Sequence, residues 1–160
     1  MTRFVYNAAS ESETEALGAA LAAALPDRGV VALIGTLGAG KTRLVQALAV
    51  ACGVPRETVV SPTFVLAHEY HGQRTIHHLD AYRLRDEDEF LALGPEEYFA
   101  DDGLTVIEWA DRVTACLPRE RLEIRISETG PTARRFDVTA YGTEYEVVIE
   151  RLAAWRDAGT

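Results

Sequence analysis

The spacing of apolar residues changes character along the chain. Gly29-Val30-Val31-Ala32-Leu33-Ile34 is an almost unbroken apolar run, the pattern of a strand covered on both faces in a mainly parallel sheet. After a glycine-rich stretch, residues 43–51 carry apolar side chains at 44, 45, 48 and 51. That is one face of a helix, and Gly53 and Pro55 predict its end. An earlier helix is predicted from Ser10, with Glu13 completing a capping box and Leu17, Leu21, Ala24 and Leu25 forming the apolar stripe before Pro26. Phe4-Val5-Tyr6 predicts a short strand ahead of it.

Residues 58–70 read as extended chain interrupted by Pro62, and Gly72 marks a turn. The next strand, Thr75-Ile76-His77-His78-Leu79, ends on Asp80, and a cleaner one, Leu104-Thr105-Val106-Ile107, ends on Glu108-Trp109. Between them Asp86 with Glu89 caps a helix that stops near Gly94, and Pro95 opens a shorter helix through Phe99. In the last third Leu122-Glu123-Ile124-Arg125-Ile126, residues 135–141 and Tyr145-Glu146-Val147-Val148-Ile149 alternate with period two. This predicts half-buried antiparallel strands, followed by a helix from Glu150 to Trp155. A chain of 160 residues with 48% hydrophobic content, no linker and no repeat reads as one domain, residues 1–160.

Composition sharpens this picture at one residue. The chain has 16 basic side chains, and Lys41 is the single lysine among arginines. It lies in Gly35-Thr36-Leu37-Gly38-Ala39-Gly40-Lys41-Thr42, which fits G-x-x-x-x-G-K-[ST]. An ammonium is a compact point charge that fits between nucleotide phosphates, whereas a guanidinium is a broad planar fork. Strand, loop and helix follow in the required order, so the backbone of Leu37, Gly38, Ala39 and Gly40, with Lys41, is expected to cradle phosphates at a helix N-terminus. The Thr42 hydroxyl is placed to ligate Mg²⁺. The fold class expected is α/β: a P-loop NTPase-like mixed sheet flanked by helices, with antiparallel strands in the C-terminal third.

Acidic residues at the C-terminal ends of strands are where such a site holds magnesium and orients an attacking group. Asp80 and Glu108 both stand there, and either suits the metal-holding role, leaving the other to polarise the nucleophile. Ser61-Pro62-Thr63, on the segment after the phosphate-loop helix, reads equally as a proline kink in an edge strand or as a switch-like loop in which Thr63 would report on the γ-phosphate. The net charge of −9 opposes direct binding to a nucleic-acid backbone, so any nucleic acid is expected to be held by a partner. Cys52 and Cys116 have no C-x-x-C pairing and are expected as small buried residues; His68, His71, His77 and His78 lack companion cysteines and do not read as metal ligands. No apolar run reaches the roughly 18 residues of a membrane span. Met1-Thr2-Arg3-Phe4 opens onto foldable sequence rather than a signal peptide, and the expectation is a cytoplasmic protein.

The phosphate loop, Ser61-Pro62-Thr63-Phe64, His78-Leu79-Asp80-Ala81-Tyr82-Arg83-Leu84 and Val106-Ile107-Glu108-Trp109, taken in this order, resemble the TsaE family, also called YjeE. These are bacterial P-loop ATPases of tRNA threonylcarbamoyladenosine biosynthesis. The resemblance covers nearly the whole chain and extends to Glu13-Thr14 and Leu17-Gly18. Thr36 and Ala81 depart from the family pattern, which usually has an acidic residue and a leucine there. The resemblance implies ATP or ADP with Mg²⁺, weak intrinsic hydrolysis, and association with TsaD and TsaB, which modify adenosine 37 of tRNAs reading codons that begin with A. It assigns Lys41 to the phosphates, Thr42 and Glu108 to magnesium, Asp80 to the hydrolytic step, and Thr14 and Arg134 to the neighbourhood of the adenine.

Other readings of a phosphate loop fare less well. A guanine-nucleotide switch needs an N-K-x-D motif, and the sole lysine is already committed. A small-molecule kinase, the alternative, needs an acceptor site and a basic lid, for which Arg83 and Arg85 are too little. A module that binds nucleotide without turnover would lack the two carboxylates. Phe64, Tyr70, Tyr82 and Trp109 are candidate contacts for a partner, against burial in the core as the commoner fate of aromatics.

Overall fold

From its N-terminus the chain runs β1 (Thr2–Ala8), α1 (Glu11–Ala24), β2 (Val30–Ile34), α2 (Lys41–Ala51), β3 (Ala67–His71), β4 (Thr75–Asp80), α3 (Glu87–Leu91), α4 (Pro95–Ala100), β5 (Gly103–Glu108), β6 (Arg121–Glu128), β7 (Arg134–Tyr141) and α5 (Thr143–Ala158). The computed structural model describes residues 2–35, 40–59, 67–82, 84, 86–100 and 102–159. The strands form one sheet in the order β1-β7-β6-β2-β5-β4-β3. The centre is parallel: β2 pairs with β5 and β6, and β5 pairs with β4. Antiparallel strands close both edges, β3 on β4 at one side and β7 and β1 beyond β6 at the other. This is the mixed α/β architecture expected. No described helix is long and apolar enough to cross a membrane.

All five residues of β2 are buried because each face of the strand meets its own hydrophobic layer. Val31 and Leu33 join the larger core with residues of α1, α2 and α5. Val30, Ala32 and Ile34 join a smaller one around Phe90, Ile107 and Val113 on the other face. α1 begins as its capping signal requires, with the Ser10 hydroxyl accepting the Glu13 N–H at 3.2 Å. It has no basic residue in its last turn. Its terminal carbonyls are met instead from other elements: Arg74 donates to Ala22, Leu25 and Pro26, and Arg151 to Ala24.

α1 and α2 meet closely at Gly18. A Cβ there would lie 2.4 Å from Ala47 Cβ and 3.0 Å from backbone atoms of Ala47 and Leu48. Gly18→Ala gains about 1 kcal/mol of helix propensity. The overlap falls on the Ala47 Cβ, which has no rotamer to move into, and on the backbone behind it, and overpacking of that kind costs about 1–3 kcal/mol. The expected net loss is about 1 kcal/mol, a melting temperature lower by about 2–4 °C in thermal unfolding; an unchanged or higher value would show that the helices separate freely.

The sequence expectation fails at the C-terminus. Residues 145–149 are not a strand but part of the first two turns of α5, which begins well before Glu150. Tyr145, Val148, Ile149 and Leu152 are buried at helical spacing, while Val147, which period two would place beside Tyr145, is exposed. The Tyr145 hydroxyl accepts the Val30 N–H at 2.9 Å, tying α5 to the start of β2. β6 and β7 are antiparallel as expected, but β6 is also parallel to β2. Ala51, expected on the buried face of α2, is exposed, and Cys52 is buried in the core instead. Cys116 is only half-buried, contrary to expectation, and both thiols are free.

Candidate functional site

The C-terminal ends of β2, β4 and β5 converge on the first turn of α2. Gly40 caps that helix with a left-handed backbone, φ 101°, and its carbonyl accepts the Leu44 N–H at 3.1 Å. Lys41 and Thr42 are therefore first-turn residues, beside N–H groups that have no partner within the helix. The first turn carries no acidic side chain, which leaves the positive end of the helix dipole to an incoming anion. Leu37, Gly38 and Ala39, with Thr36, lie outside the described residues, as do Ser61, Pro62, Thr63 and Phe64.

Lys41 is 5% exposed. Its ammonium donates to the Gly35 carbonyl at 2.8 Å and stands 4.0 Å from the centroid of the Trp109 ring. Burial holds its pKa below the usual lysine value, against the opposing pull of Glu108, Asp80 and Asp111. A phosphate brought to this ammonium would reverse the imbalance.

Asp80 ends β4 and Glu108 ends β5, and parallel pairing sets the two in register. Both are buried. The Glu108 carboxylate has each oxygen 3.3 Å from the Thr42 hydroxyl. Asp80 Oδ1 accepts the Tyr82 N–H at 2.8 Å. Its pKa is raised, chiefly by burial, with Glu108 adding like-charge repulsion and the Tyr82 bond opposing. Thr42 and Glu108 form a set of hard oxygen donors, which fits Mg²⁺. Among the described residues no group of three or more His, Cys, Asp or Glu side chains is arranged around a metal.

Thr14 and Arg134, which the sequence could join only through resemblance, line one cavity of about 190 Å³ with Glu11, Gly40, Arg43 and Thr132. It opens beside Gly40, the cap of α2. Glu11, Arg43 and Thr132 were not singled out from the sequence. The only signal for them is proximity along the chain to Thr14, Thr42 and Arg134.

Of the aromatic candidates for a partner contact, Tyr70 takes the commoner fate of burial. Tyr70 is not a surface contact; it is 2% exposed and its hydroxyl is 3.1 Å from His78 Nδ1. His78 is fully buried, with Nε2 2.5 Å from Glu108 Oε2. Tyr82 and Trp109 remain half-buried, with ring centroids 4.8 Å apart. Trp109 has φ 59°, the left-handed region that a bulky residue enters only under strain. This conformation, directly after Glu108, carries the indole to the Lys41 ammonium.

Comparison with known proteins is consistent over most of the chain. The model of the family described as threonylcarbamoyl adenosine biosynthesis protein TsaE matches residues 8–136. The tRNA threonylcarbamoyladenosine biosynthesis protein TsaE of Bacillus subtilis is 38% identical over 154 residues, 96% of each chain. The protein of the same name from Treponema pallidum is 38% identical over 117 residues, covering 73% of this chain and 86% of its own. Among solved structures, Bacillus subtilis YdiB superposes with a TM-score of 0.78 at 32% identity, covering 97% of both chains.

Proposed function

The chain belongs to the TsaE family of tRNA threonylcarbamoyladenosine biosynthesis, and from that membership and the site geometry we propose that it is a Mg²⁺-dependent ATPase acting with TsaD and TsaB. Its turnover would support threonylcarbamoylation of adenosine 37 in tRNAs reading codons that begin with A. The observation that carries the ATPase reading is the convergence of Lys41, Thr42, Asp80 and Glu108 at the N-terminus of α2, two of them in register on neighbouring strands.

In this reading the first turn of α2 and the Lys41 ammonium bind the β- and γ-phosphates, and the ammonium leaves the Gly35 carbonyl to do so. Thr42 and Glu108 would hold Mg²⁺, which neutralises charge on the phosphate oxygens when bound. Asp80, whose pKa is raised by burial, orients a water toward the γ-phosphorus. It accepts the proton as the new O–P bond forms and the bond to the β-phosphate oxygen breaks. Thr14 and Arg134 flank the base. The tRNA is reached through the partners, since a net charge of −9 opposes direct binding to a nucleic-acid backbone.

The test is steady-state ATP hydrolysis by the purified chain with and without TsaD and TsaB. Slow turnover alone and acceleration by the partners together is the expected result. Efficient phosphorylation of a small molecule without partners would point to a kinase, and tight tRNA binding by the isolated chain would overturn the indirect route to tRNA.

A further inference from the structure

Across the face of the sheet that packs under α2, three buried side chains on three strands form a row. β3 and β4 pair His68 with His78, so Tyr70 stands diagonally across from His78; β4 and β5 pair His78 with Val106, so Glu108 does the same on the other side. The row is joined by Tyr70 Oη to His78 Nδ1 at 3.1 Å and His78 Nε2 to Glu108 Oε2 at 2.5 Å. It ends at the Thr42 hydroxyl, 3.3 Å from both Glu108 oxygens. Tyr70 is 2%, His78 0% and Glu108 3% exposed, so solvent does not supply these hydrogen bonds.

We infer that His78, set by Tyr70, is a positioning residue that holds the Glu108 carboxylate in its Mg²⁺-binding orientation. A tyrosine hydroxyl that donates to Nδ1 leaves the neutral ring its proton on Nε2, where it donates to Glu108. Held at Oε2 by this N–H, the carboxylate keeps its other oxygen for a cation. Anchored on the His78 side, Glu108 stays beside Thr42. Hydrogen-bond partners behind a metal ligand typically contribute about 10–100-fold to metal affinity.

This inference rests on the reading of Thr42 and Glu108 as the magnesium site, and the experiment separates the two. The readout is the Mg²⁺ concentration at which N-methylanthraniloyl-ADP binding is half-tightened, measured beside its metal-free binding and the melting temperature. His78→Asn shortens the side chain so that its amide cannot reach Glu108, whereas His78→Gln places an amide N–H near the former Nε2 position. His78→Asn is expected to raise the Mg²⁺ midpoint about 10–100-fold with metal-free binding unchanged. His78→Gln should restore it, and Tyr70→Phe should raise it by less than His78→Asn does. In the metal-free protein, ¹⁵N chemical shifts of labelled histidine should show the Nε2–H tautomer at His78, which also decides the matter if His78→Asn does not fold. A wild-type midpoint in folded His78→Asn, alongside a raised one in Glu108→Gln, overturns the positioning role alone, as does an Nδ1–H ring. A wild-type midpoint in Glu108→Gln removes the magnesium site on which the inference stands.

Discussion

Lys41→Ala is expected to lower kcat/KM for ATP hydrolysis by about 10²–10³-fold, the usual loss when one preorganised charge donor is removed from a transition state. The effect is large because the ammonium is buried, where its field is least screened, and because no second lysine exists in the chain to replace it. The variant should stay folded. A lysine whose folded-state pKa is depressed by burial is costing the native state at neutral pH, so replacing it should leave the melting temperature of the nucleotide-free protein unchanged or slightly raised. Lys41→Arg should fail to restore activity, since the larger planar fork must fit between the Gly35 carbonyl and the Trp109 ring. Near wild-type turnover in Lys41→Arg would mean that the site reads positive charge only, not its shape.

Asp80→Asn is expected to lower kcat by about 10²–10⁴-fold, the range for loss of a general base, while making the nucleotide-free protein more stable. The second effect follows from the sign of the pKa shift. Burial raises the Asp80 pKa in the folded state, with Glu108 adding to it. The folded protein therefore holds this proton at pH values where the unfolded chain has released it. Stability falls as pH rises from the ordinary carboxylate pKa, about 4, through the raised folded value, and the penalty is fully present above it. Asparagine carries no charge and keeps an oxygen to accept the Tyr82 N–H. The gain in melting temperature, about 2–4 °C for each kcal/mol recovered, should be greatest at neutral pH and shrink below pH 4. A variant that is inactive and less stable at neutral pH would place Asp80 in a structural role; an active variant would remove it from the hydrolytic step.

The roles of Asp80 and Glu108 illustrate how far the chain could be read without its fold. That both close apolar strands was visible, because a buried parallel strand leaves an unmistakable run of Val, Ile and Leu and its first polar residue marks the sheet edge. Which one stands beside Thr42 was not, except through resemblance. The distance depends on how α2 crosses the sheet, and that follows from packing across α1, α2 and β2 rather than from any local spacing.

Local patterns alone determined the phosphate loop's motif, the caps at Ser10 and Asp86, the strands that carry the carboxylates and the sole lysine. Each is a statement about neighbours along the chain, where steric preference and hydrogen-bond closure act over a few residues. Tertiary structure decided the rest. Residues 145–149 satisfy both a strand and a helix pattern, and burial of Leu152 and the bond from Val30 to Tyr145 select the helix. His78 and Tyr70, unremarkable as sequence, join Glu108 only because strand pairing aligns residues 30 or more positions apart in a dry layer. A sequence pattern records which face of an element is apolar; which side chains meet across that face is set by register, and register is a property of the assembled sheet.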